Sequence, residues 1–287
     1  MAHTERTGTS SLPAMQELFS LEGKVAVITG GTGVLGGAIV HGLVDAGAKV
    51  AILGRSMAKV DAMVASLASN GHDAFGVQAD VLNREALKSA RDLVMEHYGH
   101  IDILVNMAGG NIPGATLAAT QSFFDMDEKA LRDVVDLNFL GTLLPSQVFG
   151  GAMATSTTGS ASIVNVSSMA APRAMTRVVG YGAAKSAVDN FTRWAAVELG
   201  RRYEGRIRVN AIAPGFFIGE QNRALLLNED GSLTERGQLV IDHTPAGRFG
   251  EPAELVSTVI WLCSPGARFI NGVVVPIDGG FSAFSGV

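Results

Sequence analysis

Cysteine is almost missing from this chain. Cys263 is the single one among 287 residues, so no internal disulfide can form. It lies in the apolar stretch Val259-Ile260-Trp261-Leu262-Cys263, without the basic or polar neighbours that activate a thiol, and it reads as a buried structural group. Apolar runs of about 18 residues or more are also missing, so no transmembrane helix is expected. The opening residues have no apolar core of a secretory leader, and the expected location is the cytoplasm. Runs of like charge are missing as well. The 22 Lys and Arg are scattered among 27 Asp and Glu, for a net charge of −5. That argues against nucleic acid or an anionic membrane as partner. The six His show no His-x-x-x-His pairing, and no metal site is expected. Neither a repeat nor a domain-breaking linker is present.

What is present is apolar and rich in glycine. At 47% hydrophobic and 17% charged, the chain can bury a large core. Its 35 glycines follow no fibrous period, so tight turns and close backbone approaches are their natural use. Short apolar, often β-branched runs recur at Val25–Ile28, Val50–Leu53, Ala74–Val77, Ile103–Val105, Ser162–Val166, Ile207–Ile212 and Val273–Ile277. Such runs suit parallel strands covered on both faces. Between them, Leu35–Ala46, Met57–Asn70, Arg84–His97, Lys129–Phe149 and Tyr181–Arg202 carry helical spacing. The alternation predicts an α/β, Rossmann-type doubly wound parallel sheet in a single domain over 21–287, after a mobile N-terminal arm over 1–20. Two stretches interrupt it, 109–124 and 215–250. Each follows a predicted strand, where ligands bind in such sheets, so both are read as substrate-facing loops.

The turn Thr29-Gly30-Gly31-Thr32-Gly33-Val34-Leu35-Gly36 follows the first strand and opens a helix. Glycines there let backbone approach a pyrophosphate, and the helix N-terminus offers unpaired N–H groups and partial positive charge. The second strand ends Leu53-Gly54-Arg55-Ser56, without the carboxylate that NAD enzymes of this architecture place on the ribose hydroxyls. Arg55 can pair with a 2′-phosphate, which favours NADP over NAD. Tyr181-Gly182-Ala183-Ala184-Lys185 puts a phenol and an ammonium on one helix face. A cation beside the phenol is expected to lower its pKa and make it an acid/base group. Ser167 or Ser168, beyond the strand ending at Val166, can donate to a substrate oxygen.

With these motifs in this order, the sequence resembles the short-chain dehydrogenases/reductases from about Leu21 to Phe281. The resemblance rests on Gly30 and Gly36, on Asp80 with Val81, on Asn106-Met107-Ala108-Gly109, on Tyr181 and Lys185, and on Pro214-Gly215. The sequence departs from the family at Val34, where a glycine is usual, at Met107, and after Gly215, where Phe216-Phe217-Ile218 replaces the usual Thr. The family's Ser-to-Tyr interval selects Ser168. The resemblance implies Asn138, Ser168, Tyr181 and Lys185 as catalytic group, with Asn138 supporting a water-linked relay to the lysine. It also implies NAD or NADP bound by Gly30, Thr32, Gly33, Val34, Leu35, Gly36, Arg55, Asp80, Val81, Asn106, Ala108, Gly109, Tyr181, Lys185, Pro214, Gly215 and Ile218.

The predicted loops carry Asn111, Gln221, Asn222, Arg223 and His243, and Arg173 follows the fifth strand. Amides with arginines suit a polyhydroxylated anion. The stretches are similar to the D-mannonate oxidoreductases (fructuronate reductases) of this family and, less closely, to its gluconate 5-dehydrogenases. Another reductase of the family, such as a 3-oxoacyl-carrier-protein reductase, or a non-catalytic NAD(P) sensor, are the alternative readings. Ala184, Val188, Phe191, Ala195 and Leu199 form a second apolar face on the Tyr181–Arg202 helix, which predicts a subunit contact and a homodimer or homotetramer.

Overall fold

Seven apolar runs become seven parallel strands of one sheet, ordered β3-β2-β1-β4-β5-β6-β7. The computed structural model describes residues 13–118, 120–156, 159–219 and 222–286. The strands are β1 (Val25–Thr29), β2 (Lys49–Gly54), β3 (Ala74–Gln78), β4 (Ile103–Asn106), β5 (Ala161–Val166), β6 (Ile207–Pro214) and β7 (Val274–Ile277). β1 pairs with β2 on one side, Val25 opposite Lys49, and with β4 on the other, Ala26 opposite Ile103. The order reverses between β1 and β4, which opens a crevice at their carboxyl ends.

The strands are apolar on both faces because helices cover both. The helices are α1 (Met15–Phe19), α2 (Val34–Asp45), α3 (Met57–Ser69), α4 (Arg84–Tyr98), α5 (Glu128–Val135), α6 (Gly141–Thr155), α7 (Val179–Arg202), α8 (Arg223–Leu226), α9 (Glu235–Asp242) and α10 (Val256–Cys263). Alternate residues of β1 point to opposite sides. Ala26 and Ile28 meet Ile39 and Leu43 of α2 and Val259 and Leu262 of α10. Val25 and Val27 belong to the opposite cluster, with Leu87 of α4, Phe149 of α6 and Ala195 of α7. Phe149 is fully enclosed there, and its truncation to Ala should cost about 3–5 kcal/mol. Cys263 is buried in the first cluster, and burial pushes its thiol up to about 12, as expected of a structural group.

Three features depart from the expectations. The predicted helix Lys129–Phe149 is interrupted by a π-helical turn at Asp136–Leu140, which separates α5 from α6 and carries Asn138. Such turns place one extra residue in the helix and re-aim its side chains. Second, the expected arm is structured in part. Met15–Phe19 forms α1, and the Leu18 carbonyl lies close to Gly266, where a Cβ would come within 3.0 Å of it; residues 1–12 lie outside the described residues. Third, the proposed contact face of α7 is core. Ala184, Val188 and Ala195 are buried, whereas Trp194 and Val197 on another face are 60% and 61% exposed. A 3.6-residue period reveals that a face is apolar but not which neighbour covers it.

Candidate active site

Every helix begins with N–H groups that lack intrahelical acceptors. Asn83, Asp127 and Thr234 cap α4, α5 and α9 with side-chain oxygens, but α2 begins at Gly33 with no side-chain cap. Its first turn is led by the tight turn in which Gly33 N–H donates to the Gly30 carbonyl. Gly30 has φ +69, and a Cβ there would lie 2.9 Å from the backbone of Ala108; a Cβ on Gly36 would lie 2.3 Å from the Gly30 oxygen. These two glycines are therefore required by space. Val34 sits at the first position of α2 and is 44% exposed, so the fold accommodates a side chain there. The uncapped N–H groups and the bare glycine turn at the β1/β4 crevice fit a dinucleotide pyrophosphate.

Around that turn the structure sorts the expected cofactor residues. Thr32 and Leu35 are half-buried beside it. Thr29, not singled out from sequence, ties the ends of β1 and β4 together: its Oγ1 accepts from Met107 and Ala108 N–H, both at 3.1 Å. The side chain of Asn106 turns away from the crevice into the core, donating to Ser146 Oγ and Asn165 Oδ1 at 2.8 Å. Its side chain is thus a buried tie, and only its backbone borders the site. Val81 likewise packs inward, 3.1 Å from where a Gly141 Cβ would be. Asp80 is exposed, with Oδ1 accepting from Leu82 N–H at 2.9 Å. Arg55 is exposed, and its main-chain carbonyl accepts from Gln78 Nε2. On the other side of the crevice Pro214 ends β6, and Gly215 crosses the end of β7 so closely that a Cβ would lie 2.7 Å from Asp278. Ile218 follows, half-buried.

The catalytic candidates come together at the start of α7. Tyr181 stands in its first turn, and its phenol hydrogen-bonds Ser168. The neighbouring Ser167 is buried and donates to Asp189 Oδ1, which settles which serine faces the tyrosine. Lys185 is 4% exposed. Its Nζ donates to the Val166 carbonyl at 2.8 Å and lies 5.6 Å from the centre of the Tyr181 ring. The expected lowering of the phenol by Lys185 is not what the geometry gives. Burial raises the Tyr181 pKa, and the hydrogen bond from Ser168 is what opposes it. Burial also lowers Lys185 itself to about 8, against the pull of the Asp189 carboxylate.

The Asn138 side chain braces the first loop. Its Nδ2 donates to the Gly110 and Val134 carbonyls at 2.7 and 2.8 Å, and its Oδ1 accepts from Gly110 N–H at 2.9 Å. Both amide protons are used within the protein, so the side chain clamps the loop. A Cβ on Gly109 would lie 2.8 Å from Asn138 Oδ1 and 3.4 Å from Lys185 Nζ, so the loop crosses directly over both. The π-turn delivers this amide to the site.

The expected substrate residues separate. Asn111 donates to Thr116 Oγ1, and its enclosed Oδ1 has no partner among the described residues. Asn222 is a local brace: it accepts from Gly219 N–H and donates to the Phe217 carbonyl, both at 2.8 Å. Arg173 is exposed and donates to the Ser282 carbonyl. Arg223 is exposed on α8, and His243, exposed at the end of α9, has Nδ1 within 2.8 Å of the Leu239 carbonyl. Gln221 lies outside the described residues. Among the described residues no cluster of His, Cys, Asp and Glu can hold a metal, and no helix is long and apolar enough to cross a membrane.

A tyrosine bonded to a serine beside a buried lysine, and an uncapped helix end at the strand ends of a doubly wound sheet, suit a nicotinamide-dependent oxidoreductase. Residues 32–282 match the family model described as enoyl-(acyl carrier protein) reductase, and the protein belongs to the short-chain dehydrogenase/reductase family. It is 45% identical over 277 residues to an uncharacterized Bacillus subtilis oxidoreductase, UxuB, covering 93% of this chain and 98% of that one. A Haemophilus influenzae protein assigned provisionally as a D-mannonate oxidoreductase, solved with bound NAD, superposes with a TM-score of 0.87 at 38% identity, over 96% of this chain and 100% of that one. A Burkholderia cenocepacia gluconate 5-dehydrogenase, solved with NADP and tartrate, gives a TM-score of 0.83 at 28% identity, over 94% of this chain and 99% of that one.

Proposed function

We propose that this oxidoreductase interconverts a secondary hydroxyl and a ketone on a sugar acid, with D-mannonate and D-fructuronate the first pair to test. The observation that carries the reaction is the Tyr181 phenol bonded to Ser168 above the buried Lys185. A nicotinamide cofactor, when bound, supplies or accepts the hydride. In the reducing direction Ser168 donates to the carbonyl oxygen as it becomes alkoxide-like, and Tyr181 hands it a proton. In oxidation the phenolate removes that proton. Lys185 keeps positive charge beneath the ring, and Asn138 holds the Gly109–Gly110 turn over it.

The sugar-acid assignment is supported by the names of the similar structures, a provisionally assigned D-mannonate oxidoreductase and a gluconate 5-dehydrogenase. A spectrophotometric screen of hexonates and hexuronates against simple and long-chain ketones tests it. Turnover of long-chain ketones with none of any sugar acid would overturn it.

For the cofactor, the reading is NADP(H) bound at least as well as NAD(H). Arg55 is exposed at the end of β2, and position 54 has no room for a carboxylate, since a Cβ there would lie 2.9 Å from Val60. Fluorescence titration with both cofactors checks it, and a strong NAD preference unchanged by Arg55→Ala would count against it. The working form is a cytoplasmic homodimer or homotetramer, in which Trp194 and Val197 meet a second subunit. Sedimentation at micromolar concentration tests the assembly, and a pure monomer would refute it.

A further inference from the structure

Two arginines outside the expected set stand together where the two substrate-facing loops meet. Arg177 precedes α7, shortly before Tyr181, and holds a left-handed backbone, φ 74, that a non-glycine residue adopts only under constraint. The constraint is a two-way link to the first loop. Leu117 N–H donates to the Arg177 carbonyl at 2.9 Å, and Arg177 Nε donates to the Leu117 carbonyl at 2.7 Å. Ile112 and Ala115 of the same loop pack with Tyr181, so the link lies against the catalytic group. Among the described residues only Nε is used, which leaves the two terminal nitrogens of the guanidinium. Arg236 comes from α9 in the second loop, and its Nη1 donates to Thr176 Oγ1, beside Arg177, at 3.3 Å.

Both arginines are half-buried, and neither forms an ion pair among the described residues. By contrast Arg91, Arg132, Arg202 and Arg248 each lie against a carboxylate at the surface. Burial, and then repulsion from Arg177, lowers the Arg236 pKa. Two like charges drawn together out of water are unfavourable unless an anion joins them, and guanidinium forks match a carboxylate. A structural tie to Leu117 needs only one donor and no second cation.

We propose that Arg177 and Arg236 together bind the carboxylate of the substrate, placing its far end between Leu117 and α9 while the reacting carbon lies at Tyr181. This rests on the sugar-acid reading and names the residues that read the acid. Arg173 and Arg223, on the exposed surface, have no part in it.

The test compares kcat/KM for D-mannonate and for its neutral analogue D-mannitol in the wild type, Arg236→Gln, Arg177→Gln and Arg236→Lys, beside cofactor affinity and thermal melting. Loss of a charge-assisted contact should lower the acid-over-neutral ratio roughly 10- to 100-fold in each Gln variant. Cofactor affinity should stay unchanged, and Arg236→Lys should recover part of the ratio. Equal losses on acid and neutral substrate would overturn the proposal and leave the sugar-acid reading standing. If Arg177→Gln melts early because the Leu117 link is lost, Arg236→Gln alone decides. If the wild type turns over no sugar acid, D-mannonate binding to the cofactor-saturated enzyme is measured by thermal shift. A shift lost in Arg236→Gln upholds the anion site without that substrate, and a shift retained there, or none in the wild type, overturns it.

Discussion

Replacing Lys185 by Met should change how the stability of the fold depends on pH, apart from its effect on turnover. Burial holds the Lys185 ammonium at about 8, below its ordinary value of 10.5. Below pH 8 the lysine is charged in both folded and unfolded chains, and the fold bears the full cost of enclosing the charge. Between about 8 and 10.5 the folded protein sheds the proton first, the unfolded chain binds more protons, and stability rises with pH. Above that range both forms are neutral and the cost is gone. The interval corresponds to about 3 kcal/mol, at 1.36 kcal/mol per pH unit. Met fills much the same volume without a charge, so Lys185→Met is free of this dependence. Urea unfolding of both proteins, at one fixed protein concentration and from pH 7 to 10.5, gives the quantity needed. Wild-type stability minus variant stability should climb by about 3 kcal/mol across the window. Other ionisations, Tyr181 among them, are common to both proteins and cancel from the difference to first order. A difference flat with pH would refute the claim that Lys185 is held by burial rather than by a partner anion.

Tyr181→Phe should lose turnover by about 10²–10⁴-fold while binding NAD(P)H normally, because the ring keeps its packing; steady-state rates beside a cofactor titration check this. The two serines should part company: Ser168→Ala lowers the rate by about 10²–10³-fold with the melting temperature unchanged. Ser167→Ala strips a buried Asp189 of its donor and should lower the melting temperature while sparing the chemistry. Gly36→Ala drives a methyl into the Gly30 carbonyl and should abolish cofactor binding, read by nicotinamide fluorescence, even where circular dichroism still reports a folded protein. Asn138→Ala removes the clamp on Gly110. Its loss should appear in kcat and KM together, since it positions the loop and touches no reacting atom.

The strands, the order of the motifs and the Tyr181–Lys185 pair were legible in the sequence because each depends on local pattern. A strand buried on both faces must be apolar throughout, and an i, i+4 pair must share a helix face. Gly30 and Gly36 were legible for the same reason, since a strand-to-helix turn against a neighbouring loop leaves no room for Cβ. What only the tertiary structure decided are matters of partnership between distant segments. Ser167 and Ser168 are chemically alike, and the approach of Asp189 to one and Tyr181 to the other separates them. The amide of Asn138 looks like a helix-surface group until the π-turn swings it under Gly110. The Lys185 charge suggests a lowered phenol, but the fold encloses Tyr181 and burial raises it. Arg177 and Arg236 lie far apart in the chain and belong to no motif. They become a pair only because the loop after β4 and the helix after β6 both meet the segment that leads into α7, and charge acts through space rather than along the sequence.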